Sequence, residues 1–372
     1  MFDRRLIQNF DWILFFLILA ITAISILNLY SATYTIKDIG GSQIFAKQLY
    51  WFMIGFFFFF IMATFNYFIL ERLAYPIYFV SVVLLIIVLV VGKITSGSQR
   101  WLSLGPVSFQ PSEVAKIAVL MVLAKFFRDQ YQSGHKEYEL KELWQPFLLT
   151  GIPCCLILKE PDLGTAVLIG IMSLSLILFA KVYWKSLLIL ATSAIALTPL
   201  IWFNLKEYQQ MRVLTFFRPD MDPLGSGYHI NQSKIAIGSG LIWGKGFLKG
   251  TQTRLHFLPE QHTDFAFSVL AEEWGFIGGV VLLTLYLLLI LWGLNIARES
   301  KDRFGSFMAV GIVSIVFWQV VINVGMVTGL FPVVGIPLLL FSYGGSSLVS
   351  TMAAMGLLMN ISMRRFMFQQ GS

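Results

Sequence analysis

The chain contains little charge, almost no cysteine and none of the common phosphate- or metal-binding motifs. Charged residues make up 13% of its 372 residues and apolar residues 57%, a balance typical of membrane-spanning domains. Its two cysteines, Cys154 and Cys155, are adjacent in an apolar run, where a disulfide between neighbours would be strained. No glycine loop ends in Lys-Ser or Lys-Thr, and no His/Cys cluster has metal-ligand spacing. We therefore expect a polytopic membrane protein without a disulfide framework, an ATP site or a motif-encoded metal site.

Ten apolar windows are long enough, or nearly so, to cross about 30 Å of hydrocarbon as helices. They lie at 12–32, 46–66, 73–92, 111–128, 145–158, 163–180, 186–203, 265–297, 304–328 and 345–363. An even number of spans places both termini on the same side of the membrane. The sequence thus predicts an all-α polytopic membrane protein with about ten transmembrane helices, forming a single domain over 1–372.

The distribution of Lys and Arg over the short loops predicts the orientation. Fourteen of these residues fall on the N-terminal side and six on the other side, when the one long loop is set aside. Because cytoplasmic loops carry the excess of Lys and Arg, both termini are predicted to be cytoplasmic. The long loop, 204–264, is then extracytoplasmic. Its many glycines and the short run 234–237 predict tight turns and a short interfacial helix that covers the bundle.

The stretch FLPEQHTDF at 257–265 places ionisable side chains at the mouth of the eighth apolar window. Thr263 is predicted to cap this helix, which would put Asp264 in the first turn, where exposed backbone amides favour an anion. The helix dipole would lower the pKa of Asp264 and burial near lipid would raise it, so the residue types leave its ionisation open. Asp264 is therefore either a catalytic group or a capping one.

The same window carries two more acids, Glu272 and Glu273. The run 265–297 is longer than the roughly 20 residues that span a bilayer, so its first part is expected to remain at the outer interface. Glu272 and Glu273 would then lie beneath Asp264, and several carboxylates would converge on the outer side.

Glu113 and Lys116 are three residues apart after Gln110-Pro111-Ser112, which predicts the opening of a helix. This spacing puts both side chains on one face, where an ion pair can neutralise both charges inside the membrane. The pair either fixes helix packing or contacts substrate directly. Residue types do not separate these two roles.

Three further segments carry polar chemistry. Arg100 precedes Trp101, a combination that suits a diphosphate and a sugar or lipid face, although an interfacial anchor would have the same pattern. Asp162 lies at a predicted helix start between two short apolar runs, as in broken helices that line cavities. The run FSYGGSS at 341–347 predicts a flexible polar loop on the outer side, or a simple hairpin.

In their order along the chain, these motifs resemble the SEDS family (shape, elongation, division and sporulation), the polymerases of bacterial cell-wall glycan. The resemblance covers most of the chain and is carried by GSQRWL at 97–102, QPSEVAK at 110–116, PDLGTA at 161–166, DPLGSGYHINQSKIAIGSG at 222–240, GKGFLKGTQ at 244–252, FLPEQHTDF at 257–265 and FSYGGSS at 341–347. AEEWGF at 271–276 and FPVVGIP at 331–337 are more similar to the elongation-type members than to the division-type ones. Two departures are Glu160, where a Gln often precedes PDLGT, and Leu339-Leu340, which replaces a more proline-rich sequence.

The resemblance implies a peptidoglycan glycosyltransferase of the cytoplasmic (inner) membrane, which joins lipid II units on the outer face during cell elongation. Asp264 occupies the family's proposed catalytic position and would be the base for the acceptor sugar hydroxyl. Trp101 would pack on the sugar or lipid, and Glu113 and Asp162 would shape the cavity floor. The leaving lipid diphosphate needs cationic stabilisation, for which the candidates are Arg100, Arg212, Lys116 and Lys245.

The resemblance also implies partners. The family pairs with a class B penicillin-binding protein, a transpeptidase, and the elongation type works with other membrane proteins of the elongation complex. A divalent cation, Mg²⁺ or Mn²⁺, could help to shield the diphosphates, although no motif demands one. We expect no nucleic-acid partner, and we assign no role to His262.

Two other functional classes remain open. Ten helices with a polar outer cavity could form a flippase that moves lipid II across the membrane, or a scaffold for the penicillin-binding protein. The clustering of acids and bases on the outer side, with few ionisable residues in the inner halves of the helices, favours chemistry on the outer face.

Overall fold

The protein is almost entirely helical, which confirms the predicted fold class. The computed structural model describes residues 8–34, 41–95, 98–104, 107–134, 137–204, 207–218, 225–255, 257–258 and 260–365. Its α-helices within these ranges are α1 (Trp12–Tyr34), α2 (Gly41–Thr64), α3 (Tyr67–Val91), α4 (Pro111–Gln132), α5 (Trp144–Lys159), α6 (Leu163–Phe179), α7 (Trp184–Asn204), α8 (Glu207–Phe217), α9 (Ser226–Ser239), α10 (Thr251–Arg254), α11 (Ala266–Glu299), α12 (Arg303–Thr328) and α13 (Gly345–Arg364).

Each of the ten predicted windows coincides with a helix. Six helices, namely α1, α2, α3, α11, α12 and α13, are long and apolar enough to cross a bilayer, and α6 is a shorter apolar helix. Helix α4 is less apolar because it carries Glu113, Lys116 and a charged C-terminal part. The total of ten spans, the orientation and the single domain remain predictions.

The core of the bundle contains α4 and α12, whose side chains are mostly buried. Around them, α3 packs against α4, α2 against α13, and α11 against both α12 and α1. The contact of α2 with α13 is close enough to involve the backbone. A Cβ added to Gly356 would lie 2.3 Å from the carbonyl oxygen of Phe59. Small residues allow this kind of approach between helices in a membrane.

Both described ends of the chain lie at one end of the bundle. Asp11, just before α1, accepts hydrogen bonds from Trp292 of α11 and from Ser362 of α13. Arg365 pairs there with Glu299. We call this region the basic end, because Arg128, Arg298, Lys301, Arg303, Arg364 and Arg365 lie in the helix termini and turns that meet here. The opposite end, where α11 begins, is the Asp264 end.

A three-stranded antiparallel sheet lies between α3 and α4, and the sequence did not predict it. Its strands are β1 (Lys93–Thr95), β2 (Ser98–Leu104) and β3 (Val107–Phe109), in the order β1-β2-β3. The segment mixes Gly, Ser and Arg with few β-branched residues, so its local propensity for strand is low. The sheet matters because β2 carries Arg100 and Trp101.

In its described residues the long segment 204–264 contains three helices, α8 to α10, and the predicted short helix at 234–237 is part of α9. Helix α9 is fastened to the bundle. The Ser233 hydroxyl lies 2.7 Å from the Ser268 hydroxyl of α11 and donates to the carbonyl oxygen of Val327 in α12 at 2.6 Å. Helix α9 therefore packs over the Asp264 end of the bundle.

Candidate active site

Asp264 is held through its backbone rather than through its side chain. The buried amide of Asn323 in α12 donates to the carbonyl oxygens of Asp264, at 2.9 Å, and of Ile336, at 2.8 Å. The Asp264 carboxylate faces Gly335, where an added Cβ would lie 3.4 Å from Oδ2. Gly335 has a φ of +71°, a conformation that favours glycine. Asn323 thus ties two loops together and leaves the carboxylate available for chemistry.

Polar residues of α1 anchor the segment that surrounds Asp264. Asn28 donates to the carbonyl oxygen of Ala266 at 2.9 Å, Ser31 donates to the Glu273 carboxylate, and Ser25 donates to the carbonyl oxygen of Phe341 at 2.6 Å. Sequence analysis missed these residues. The signal was present, because Ser25, Asn28 and Ser31 recur every three residues in an otherwise apolar helix and so mark one polar stripe.

The predicted cap on α11 is wrong. The helix begins at Ala266, its N-cap residue is Phe265, and that residue provides no side-chain cap. Thr263 instead donates to the carbonyl and carboxylate oxygens of Glu260, at 3.2 and 3.0 Å. Asp264 therefore lies in a turn before the helix, outside the first helical turn. Local hydrogen bonding by Thr competes with capping, and here it prevails.

Burial controls the ionisation of Asp264. Burial and, after it, the negative charge of Glu260 raise its pKa to about 6, while Arg100 and Arg212 oppose this rise. The negative charge of Asp162 adds to the rise. Two arginines and two further acids from different parts of the chain therefore act on the Asp264 carboxylate, and this electrostatic group includes three of the predicted site residues besides Asp264.

Arg100 is oriented by an ion pair with Asp162, the acidic residue at the start of α6. The Arg100 guanidinium on β2 lies 3.4 Å from Asp162 Oδ1, and the Asp162 side chain is 3% exposed. Asp162 is the N-cap of α6, where it accepts from the Thr165 amide and hydroxyl. The predicted helix start at Asp162 is confirmed. Gln110 completes the group by donating to Asp162 Oδ2 at 3.3 Å.

Glu160 is a second acid beside this pair, and it is fully buried. Neither of its carboxylate oxygens has a hydrogen-bond partner in the described part of the chain. Burial, followed by the charge of Asp162, raises the pKa of Glu160 to about 8, although Arg100 acts in the opposite direction. A carboxyl group with this pKa is mostly neutral at pH 7, which removes one negative charge from the neighbourhood of Asp264.

Trp101 and Lys245 differ from Arg100 in their surroundings. Successive residues of a strand point to opposite faces, so Trp101 is on the other side of β2 from Arg100. The Lys245 ammonium lies 2.7 Å from Glu272 Oε1 and donates to the Thr251 hydroxyl. Glu272 is fully buried and also accepts from Gln252 and Thr253 backbone amides. The Lys245 ammonium is thus already paired with a buried carboxylate in this structure.

A break in α11 creates the second polar cluster. Gly275 has a φ of +66° inside the helix, so a short half-helix, which carries Glu272 and Glu273, follows Asp264. The loop before α10 pairs with the break through backbone hydrogen bonds from the Lys245 amide to the Glu272 carbonyl, at 3.0 Å, and from the Phe276 amide to the Leu241 carbonyl, at 2.8 Å. The run 265–297 is longer than one membrane span because it contains a short half-helix before the break at Gly275.

Glu113 and Lys116 form the predicted ion pair. The two side chains in α4 approach to 2.9 Å and are 7% and 5% exposed. Ser350 of α13 donates to the second carboxylate oxygen of Glu113 at 2.7 Å. The pair lines a cavity of about 20 Å³, room for about one water molecule.

One extended segment connects this pair with Asp264. Gly335 faces the Asp264 carboxylate, and Leu339, four residues later, lines the cavity beside Glu113. Four residues span at most about 14 Å. Gly164 of the PDLGT motif supports the segment, because an added Cβ would lie 2.7 Å from the Val334 carbonyl oxygen. The structure thus brings the Asp264 group and the Glu113–Lys116 pair to two sides of one loop.

His262 contributes to this loop through its backbone. Its carbonyl oxygen accepts from the Tyr343 amide at 2.8 Å, and its ring packs edge-on against the Tyr343 ring. Burial lowers the pKa of His262. The residue is neutral at pH 7 and helps to hold FSYGGSS against the Asp264 loop.

Comparison with known proteins identifies relatives along nearly the whole chain. Residues 11–366 match the cell cycle protein family of FtsW, RodA and SpoVE. The chain is 46% identical over 296 residues to the peptidoglycan glycosyltransferase MrdB of Escherichia coli K12, with 79% of each sequence covered.

Solved structures agree in fold. A chain from a peptidoglycan synthase complex that coordinates polymerization and crosslinking superposes with a TM-score of 0.81 and 35% identity, covering 96% of this chain and 98% of that one. The rod shape determining protein RodA of Thermus thermophilus superposes with a TM-score of 0.69 and 31% identity, with the same coverage. These matches confirm the resemblance to the elongation type and a multi-pass protein of the inner membrane. The chain belongs to the FtsW, RodA and SpoVE family, which is the SEDS family.

Proposed function

We propose that this protein is a peptidoglycan glycosyltransferase that polymerises lipid II during cell elongation, with Asp264 as the general base. The observation that carries the proposal is the Asp264 carboxylate itself. It is fixed through its backbone, its pKa is about 6, and the cationic side chains of Arg100 and Arg212 act on it. The name of the MrdB relative, peptidoglycan glycosyltransferase, supports the reaction class.

The reaction requires a base and a cationic environment. An acceptor sugar hydroxyl attacks the anomeric carbon of the donor, and the bond from that carbon to the lipid diphosphate breaks. Asp264 takes the hydroxyl proton, which its pKa of about 6 allows at neutral pH because most of the carboxyl is then ionised. Arg100 and Arg212 stabilise the negative charge that develops on the leaving diphosphate.

Asp162 and the Glu113–Lys116 pair support this chemistry. Asp162 orients Arg100 through the ion pair. We propose that Asp162 also forms part of the floor of the substrate cavity near Asp264. Glu113 neutralises Lys116, so we assign to the pair a role in packing α4 against α13 at the far side of the loop. Trp101 is proposed to contact the sugar or lipid on the other face of β2. Lys245 is proposed to act through Glu272, in place of a direct contact with diphosphate.

Within the ranges that the structure describes, no three His, Cys, Asp or Glu side chains converge as a preformed metal site. Asp162 is already paired with Arg100 and caps α6. A Mg²⁺ or Mn²⁺ ion on the substrate diphosphate would need only one or two carboxylates in addition, and Asp264 would be the carboxylate beside it. In our mechanism arginine supplies the positive charge.

The site is proposed to face the outside of the cytoplasmic membrane, where lipid II is polymerised. The excess of Lys and Arg at the basic end supports this orientation, because basic loops stay in the cytoplasm. The segment 204–264 is then the extracytoplasmic cover of the site. A class B penicillin-binding protein is the proposed partner, with other elongation-complex membrane proteins. The related structure from a peptidoglycan synthase complex supports an assembly of this kind.

Polymerisation of purified lipid II tests the proposal. The full-length protein with its class B partner is assayed as wild type, as Asp264→Asn, and as Asp129→Asn, an exposed acid of the basic end. We expect Asp264→Asn to lower the rate by about 100-fold or more, as loss of a general base does, and Asp129→Asn to retain it. An Asp264→Asn protein that makes glycan at the wild-type rate would exclude Asp264 as the base. Transfer of lipid II across sealed vesicles without polymer would instead support a flippase.

A further inference from the structure

A cavity that the proposed function does not use lies at the basic end. Its volume is about 510 Å³, and it opens between the C-terminal ends of α6 and α11 and the start of α12. The side chains that carry the argument are Phe179, Leu294, Arg298, Lys301, Arg303 and Val310. This volume falls in the range of sites that bind small ligands.

The cavity carries positive charge that the protein does not neutralise. Arg298 and Lys301 are exposed, and within the described residues neither makes an ion pair or a side-chain hydrogen bond. Arg303 lies over the Tyr131 ring, 3.9 Å from its centroid, and this contact leaves its charge in place. Asp302 also lines the cavity, and its carboxylate accepts from the Tyr67 hydroxyl and from the Gly305 amide, two neutral donors that leave its negative charge in place. Three cationic side chains, Arg298, Lys301 and Arg303, face this one anion, so the net charge of the cavity lining is positive.

An apolar surface continues from the charged rim. Phe179 and Leu294 are 41% and 44% exposed, and along α11 Leu291 and Leu287 extend the surface away from the basic end, at 53% and 54%. These residues follow one another at helical spacing on a helix apolar enough to span a bilayer. A cationic pocket that opens onto an apolar surface matches a molecule with an anionic head and acyl chains.

We propose that this cavity binds the head group of an anionic phospholipid of the inner leaflet, with its acyl chains on the α11 surface. The basic rim supplies the charge complementarity, since basic pockets between helices on the cytoplasmic side bind anionic head groups. The site is independent of Asp264 and of the glycosyltransferase reaction.

Native mass spectrometry of the full-length protein in a neutral detergent tests this site, with phosphatidylglycerol and phosphatidylcholine as probes. We expect preferential retention of phosphatidylglycerol, and about 25-fold weaker retention in the Arg298→Gln/Lys301→Gln variant. The matched control is Arg72→Gln/Lys141→Gln, which removes two exposed charges outside the cavity. Glycerol 3-phosphate at equal concentration separates the lipid from its free head group, and we expect it not to displace phosphatidylglycerol.

Equal retention by the cavity variant and the wild type would overturn the proposal, as would an equal loss in the control variant, since diffuse charge would then explain binding. Displacement by glycerol 3-phosphate would show a site for a free phosphate instead. The melting temperature of each variant in phosphatidylcholine checks the fold. If the double variant melts early, the exposed Lys301→Gln change alone is used, with about fivefold weaker retention expected.

Discussion

The two ends of the bundle use charge in opposite ways. At the Asp264 end the acids of the ion pairs are buried, and the side chains of Asp162 and Glu272 are 3% and 0% exposed. At the basic end two pairs have exposed acids, since the Asp129 and Glu299 side chains that pair with Arg128 and Arg365 are 45% and 46% exposed. Glu71, which also pairs with Arg128, is the buried exception at 9%. Buried pairs are expensive to break, because the remaining charge loses its partner in a poorly solvated environment. Exposed pairs contribute little to stability.

This difference indicates what each end does. The Asp264 end places acids, arginines and backbone groups at fixed positions, which catalysis requires. The basic end keeps its cations in contact with water and lipid, where they can set orientation and bind head groups. Matched substitutions at the two ends should therefore differ in their effects on activity and stability.

The largest effect is expected from the buried Glu113–Lys116 pair. Reversal of either charge alone should cost about 3 to 5 kcal/mol, since it leaves two like charges together away from water. The double reversal, Glu113→Lys with Lys116→Glu, should retain more activity and a higher melting temperature than either single change. Polymerisation rates and thermal melting of the three variants measure this. Equal loss in all three would instead indicate that the pair contacts substrate directly.

Glu272 and Glu299 provide the direct comparison of buried and exposed pairs. Glu272→Gln leaves Lys245 and several backbone amides without their anion, and should destabilise the protein by about 3 kcal/mol. Glu299→Gln should change stability by about 1 kcal/mol or less. Chemical denaturation of both variants in detergent measures the difference. Similar values would contradict the contrast between the two ends.

Substitution of Asn323 tests whether hydrogen bonds to the backbone of Asp264 hold that residue in place. Asn323→Ala removes both hydrogen bonds from α12 and should cost about 2 kcal/mol, with a lower kcat and little change in KM. Asn295→Ala at the basic end removes one exposed hydrogen bond to Glu299 and serves as the control. If the two variants polymerise lipid II equally fast, Asn323 does not position the base.

The effect expected from Glu160 depends on pH and is smallest under acidic conditions. Its folded pKa of about 8 lies above the ordinary value of 4.5, so the folded state loses stability as pH rises through this interval. Glu160→Gln removes that loss. Its melting temperature should exceed that of the wild type by a few degrees at pH 8.5 and by less at pH 5.5. A difference that does not vary with pH would show that Glu160 is ionised throughout.

Much of the fold was predictable because its signals are local. The long apolar windows predicted helices, and the three-residue spacing predicted the Glu113–Lys116 ion pair. The position of Asp162 predicted the start of α6. The break at Gly275 was not predictable in this way. The break is held by backbone hydrogen bonds to a loop that lies some thirty residues earlier in the chain. No local sequence pattern therefore encodes it.

The site was predictable in part for the same reason. Arg100, Arg212 and Asp162, which were candidate site residues, all act on the pKa of Asp264, while their roles toward substrate remain predictions. The cap on α11 was not made by Thr263, because a local hydrogen bond to Glu260 replaced it. The anchors Asn323 and Asn28 were missed, since each acts on a backbone carbonyl of a distant segment. Residues that carry charge can be found from sequence more readily than residues that hold a backbone in place.

The central claim is that Asp264 acts as an ionised base, and the pH dependence of lipid II polymerisation tests it most directly. Initial rates are measured from pH 5 to 8 for the wild type with its class B partner, alongside Asp264→Asn. We predict that the wild-type rate falls as pH drops through about 6, because the carboxylate becomes protonated, and that Asp264→Asn is inactive across the range. A wild-type rate that does not change through pH 6, or substantial polymerisation by Asp264→Asn, would contradict the account.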